Sequence, residues 1–156
     1  MKNENLHRWL TLGANLGVLV GIVLVALELR QNLTAVQAQT RHDVSAGFTD
    51  FMKLISTDPE LASIRRRGDL AEELTQDESY RYEAFTRGLF RYWEDVHYQF
   101  RNGLYDAEEF NRQRDAWRAH AAAAPGAVRW WCAHRAEFSG RFAEDYGTLL
   151  PGTGCG

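Results

Sequence analysis

Nineteen consecutive residues, Trp9 to Leu27, carry no charge, and no other feature restricts more tightly what this chain can fold into. Wound as a helix they rise about 28 Å, close to the roughly 30 Å hydrocarbon layer of a bilayer. Leu10, Leu12, Leu16, Leu19, Leu24, Leu27, Val18, Val20, Val23, Val25 and Ile22 together favour insertion by about 3 to 6 kcal/mol. That offsets the glycines and Asn15 by a modest margin. Arg8 and Trp9 stand at one end and Glu28 and Arg30 at the other, the anchors expected at the two lipid–water boundaries. Apolar side chains cover every face of this stretch, unlike the one-sided pattern of a helix on a soluble core. A cleaved leader fits less well, because the run exceeds 7–15 residues and no A-x-A-like site follows it. A single-pass anchor is therefore expected, with the lipid bilayer as its first partner.

Gly13, Gly17 and Gly21 recur at intervals of four, placing two overlapping G-x-x-x-G motifs on one stripe. Between helices in lipid the hydrophobic effect supplies no attraction, so close van der Waals approach across small residues drives association. The stripe predicts packing against another transmembrane helix, from a second copy or a different protein. Lys2 and Arg8 precede the span and Arg30 and Arg41 follow it. The positive-inside count is thus a tie, and the side holding the rest of the chain is left undetermined.

Beyond the span the apolar period remains helical. Leu33, Val36, Thr40, Val44, Phe48, Phe51 and Ile55 step by three or four, so the anchor is expected to run on to about Ser56. Thr57-Asp58-Pro59-Glu60 supplies a cap, a proline suited to a first turn and an acid near the positive dipole end. The short helix that follows is expected to end at Gly68. Thr75-Gln76-Asp77-Glu78 reads as a capping box opening the longest soluble helix, with Phe85, Leu89, Tyr92, Trp93, Val96 and Phe100 as its stripe and Gly103 at its end. Asp106 begins another helix carrying Phe110, Trp117 and Ala121, and Pro125-Gly126 breaks it. A short helix with Val128, Trp130 and Trp131 comes next, and Ser139 is placed to cap a last one with Phe142, Tyr146 and Leu149. The fold expected is all-α: one N-terminal transmembrane helix continuing into a small antiparallel helical bundle. Residues 1–8 form a short flank, 9–27 the span, 28–150 the bundle and 151–156, without periodicity, a flexible tail.

Composition narrows function by exclusion. With 18 Lys+Arg against 21 Asp+Glu the net charge is −3, which lacks the footprint of a nucleic-acid binder. Two cysteines, Cys132 and Cys155, are too few for a thiolate-dominated zinc site, and Cys132, following two tryptophans, reads as a core residue. No glycine-rich phosphate loop and no nucleophile motif accompanies His42, His97, His120 or His134. Glu94 and His97 have the spacing of half a di-iron bundle site, but no second E-x-x-H occurs. No catalytic residue, metal or cofactor is assigned on these grounds. Arg65-Arg66-Arg67 is the single basic run; it suits the negative end of a helix dipole, and the alternative is contact with anionic lipid headgroups. The adjacent Trp130 and Trp131 point about 100° apart on a helix, so one narrow core stripe is not expected to hold both, and they are the candidate partner surface.

Three segments carry a resemblance. Arg8 to Val18 (RWLTLGANLGV), Glu28 to Asn32 (ELRQN) and Phe90 to Asp95 (FRYWED) resemble an uncharacterised group of short bacterial single-pass membrane proteins with an N-terminal anchor and a helical domain. The resemblance covers most of the chain outside the tail and implies that architecture, with the anchor in a bacterial inner membrane, and it lends no activity or ligand. The function expected is an accessory or scaffold subunit acting through protein contacts. The alternative is a membrane-tethered sensor or binding module for a small apolar ligand; a closed pocket lined by Trp93, Phe100 or Trp117 would favour it, and exposed Trp130 or Trp131 the former. A metal-dependent bundle enzyme is the third reading.

Overall fold

The structure, a computed structural model, describes residues 2–152, 154 and 155, with side chains from residue 7 onward. Among the described residues there are six α-helices, one 3-10 turn and no strand. The helices are α1 (Lys2–Thr57), α2 (Pro59–Asp69), α3 (Gln76–Arg101), α4 (Ala107–Ala123), α5 (Pro125–His134) and α6 (Gly140–Gly147), with the 3-10 turn at Arg135–Glu137. Two compact units divide the chain at Gln39/Thr40, inside α1.

The first unit is apolar helix with its side chains uncovered. Leu10, Leu16, Ile22 and Leu24 are all exposed, and the 18-residue window of mean hydropathy 2.3 within α1 has none of its surface buried. Gly13, Gly17 and Gly21 have nothing within 4 Å of where a Cβ would stand.

The second unit is a helical bundle built from the last turns of α1 and from α2 to α6. Local chemistry sets its boundaries. Asp58 caps α2 by accepting from the Leu61 N–H at 2.9 Å, with Pro59 in the first turn. At α3 the capping box forms in full: Thr75 Oγ1 accepts from Glu78 N–H at 3.3 Å, and Glu78 Oε2 accepts from Thr75 N–H at 2.9 Å. Gly103 closes α3 at φ +72°, where a Cβ would be strained. Asp106 caps α4 through the N–H groups of Glu108 and Glu109. Ser139 takes the cap position of α6, but its side chain makes no capping bond; its backbone N–H donates to Glu94 Oε1 at 2.7 Å instead.

The core is aromatic. Phe90 of α3 lies under Trp131 (ring centroids 5.0 Å apart) and edge-on to Tyr146 (5.1 Å) and Trp93 (5.0 Å). Trp117 of α4 stacks on Trp93 at 5.5 Å. Such pairs contribute about 0.5–1.5 kcal/mol each beyond their buried area. The last turns of α1 join this core through Val44, whose carbonyl accepts from Tyr92 Oη at 3.0 Å, and through Phe51, 4.4 Å from Phe85.

Two sequence expectations change here. Trp130 and Trp131 are 6% and 0% exposed, so they are no partner surface. Because α5 has α2, α3 and α4 packed around it, more than one narrow stripe of this helix is interior. Trp131 turns toward Phe142 and Tyr146 of α6. Trp130 lies flat between Phe90 and His134, with the Arg87 guanidinium over its ring at 5.5 Å. The second change concerns the C-terminal stretch. Cys155 is joined to Cys132 of α5 by a disulfide, with Cα atoms 5.3 Å apart, and both cysteines pack against the aromatic cluster. Position 155 is thereby tethered; Thr153 and Gly156 lie outside the described residues.

Candidate functional site

Within the second unit, four helices each present one face to a common cavity. From α1 come Phe48, Phe51 and Met52; from α3, Leu89 and Trp93; from α4, Gln113, Ala116, Trp117 and His120; and from α2, Arg65. The α4 set has the i, i+3, i+4, i+7 spacing of a single helical face. The cavity holds about 210 Å³. Phe48 and Met52, 45% and 40% exposed, form an apolar rim at its mouth. Its floor is the Trp93–Trp117 stack, and the His120 ring stands edge-on to Trp93 at 5.4 Å.

Trp117 Nε1 and His120 Nε2 are buried without a hydrogen-bond partner and without surface open to the cavity, and Arg65 Nε is buried 3.4 Å from Asp69 Oδ2. Burial is the main force lowering the His120 pKa; Asp69 opposes it and Arg65 adds to it. The imidazole is consequently neutral at pH 7. Arg65 has its counter-charge in Asp69 at 3.4 Å and rests over Phe85. The pocket is thus mostly apolar with no net charge, and nothing in it resembles a nucleophile paired with a base.

Of the three residues that a closed pocket would favour, Trp93 and Trp117 line this open-mouthed cavity, whereas Phe100 stacks on Phe110 at 3.9 Å and takes no part. The sequence offers His120 as a base and Arg65 as a headgroup contact, and neither as pocket lining. A polar residue one position before the buried Ala121, on the face shared with Trp117, was the available signal for His120.

The other candidates are dispersed. Arg65, Arg66 and Arg67 pair with Asp69, Glu72 and Glu78 respectively, Arg66 loosely, at 3.9 Å and still exposed. Glu78, holding Arg67 and the Thr75 N–H, is drawn down to about 2. Glu94 and His97 do not converge. Burial alone would raise the Glu94 carboxyl, but bonds from Ser139 N–H and Arg91 outweigh it and hold the group below its usual range. His97 faces Asp145 at 3.7 Å, and Asp145 in turn accepts from Arg114 at 2.8 Å. His134 Nδ1 donates to the Trp130 carbonyl at 2.8 Å, and His42 is exposed. No group of three or more His, Cys, Asp or Glu side chains comes together among the described residues.

Comparison of the chain with protein-family models, curated proteins and solved structures finds no match.

Proposed function

We propose that this protein is a membrane-anchored binding module that takes a small, neutral, mostly apolar ligand. The observation that carries this reading is the cavity over Trp93 and Trp117, apolar at its rim and along most of its wall, with its one cation, Arg65, paired to Asp69. Its size suits a one- or two-ring molecule of about ten non-hydrogen atoms, given that a cavity of about 150 Å³ admits benzene. The anchor is the uncharged stretch of α1, whose length matches a bilayer and whose apolar side chains have no protein covering them. A second role, contact with another membrane helix, is favoured by the open stripe at Gly13, Gly17 and Gly21.

The test uses full-length protein in lipid nanodiscs, with 2-naphthol and naphthalene as probes followed by saturation-transfer NMR against empty nanodiscs. Saturable binding of 2-naphthol is expected. Ala116→Leu puts a larger side chain into the wall and should weaken both probes about 5- to 10-fold by filling the space they occupy. Absence of saturable binding by either probe overturns the reading.

A further inference from the structure

We infer that the helical bundle stands in an oxidising compartment, across the membrane from the N-terminal flank. This orientation rests on the proposed span; the compartment does not. The ground for it is the bond between Cys132 and Cys155, the two cysteines of the chain. Cytosolic thiol buffers keep such pairs reduced, and bonded pairs persist in the periplasm or outside the cell.

The main exception, a transient catalytic or sensing disulfide, does not fit these residues. A thiol–disulfide catalyst places its cysteines close in sequence, as in C-x-x-C, with an accessible thiolate held by positive charge. Here 23 positions separate the partners, both are half-buried, and both pack against the aromatic cluster. No third cysteine is present to exchange with them. The bond acts as a staple. It ties the segment beyond α6 to α5, enclosing Phe138, Phe142, Tyr146 and Leu149, all buried, in one covalent loop.

The charges flanking the apolar run do not oppose this orientation. Lys2 and Arg8 lie before it and Arg30 and Arg41 after it, so the positive-inside rule is neutral and the disulfide breaks the tie. The Trp93–Trp117 pocket then opens to solutes that have not crossed the membrane.

The experiment expresses the full chain in a Gram-negative host, quenches whole cells with acid and labels free thiols with a polyethylene-glycol maleimide before gel electrophoresis. Unreduced protein should carry no label, reduced protein two, and Cys132→Ser one without reduction. In intact spheroplasts, added protease should digest the bundle. Two labels on unreduced, acid-quenched protein overturn the inference, as does a bundle that resists protease until the spheroplasts are lysed. Unlabelled protein recovered in the aqueous fraction instead of the membrane pellet upholds the compartment and overturns the span.

Discussion

An alanine methyl at Gly126 would overlap the carbonyl oxygen of Gly68, and one at Gly68 would overlap the Tyr82 ring. Gly126 lets the first turn of α5 rest directly on the end of α2, and Gly68 lets α2 lie against the Tyr82 ring of α3. Gly68 is thus kept small by its neighbours and does not terminate α2, which continues to Asp69. Because the obstacle at Gly126 is backbone, it cannot rotate away as a side chain would. Gly126→Ala should therefore lower stability by about 2–3 kcal/mol, the cost of forcing atoms into a filled space, measured by urea unfolding of the full-length protein in micelles. An unchanged midpoint would mean that the α2–α5 approach is looser than described. The same crowding explains the two tryptophans. Trp130 and Trp131 are both interior because α5 has neighbours on several sides, a property of the packing and not of the dipeptide.

At the scale of the helix, α1 has two kinds of surface. From Thr40 onward it has a bundle to rest on: Gly47 sits 3.5 Å from the Tyr92 ring, and Gly88 of α3 lies 3.6 Å from the Phe51 ring, each measured from an ideal Cβ. Small residues face large ones there in both directions. Before Gln39 the glycines at 13, 17 and 21 face nothing. If that stripe packs against a second copy in lipid, Gly17→Ile should cut intermolecular crosslinking in membranes by several-fold, since one branched side chain keeps the backbones apart. Crosslinking equal to that of the unaltered protein would remove self-association as the role of the stripe. The capped helices were legible beforehand because each signal is local: Asp58, Thr75 and Asp106 each bond backbone N–H groups two or three residues on. Ser139 misled in part, because its hydroxyl and its own N–H turn to Glu94 of α3, a partner 45 positions away, and not to the N–H groups that follow it.

For the molecule as a whole, His97, buried, and His120, half-buried, set a pH limit. Burial is the main cause lowering the pKa of both His97 and His120, with Asp145 partly opposing at His97 and Arg101 and Arg114 adding to the fall. In the unfolded chain both titrate near 6.5. The unfolded state therefore takes up protons first as pH falls, and stability should be full above about pH 6.5 and decline below it toward the lowered folded-state values. The urea midpoint should drop between pH 7.5 and 5.5, and His97→Gln with His120→Gln should flatten that slope. The acids behave separately: Glu78, Glu94 and Glu137 are held low by arginine or backbone partners, so their contribution persists until the pH falls below about 4.5. A slope that survives the double substitution would assign the effect to other groups.

The sequence by itself determined the helices, their caps and the apolar run at residues 9–27, because periodicity, capping and hydropathy act over a few neighbouring residues. Tertiary structure alone decided that Trp130 and Trp131 are interior, that Arg65 and His120 share a pocket with Trp93 and Trp117, and that Cys155 reaches Cys132. Each of these depends on how distant helices approach one another. No short-range signal carries that distance, since the partners are brought together only when the whole aromatic core closes.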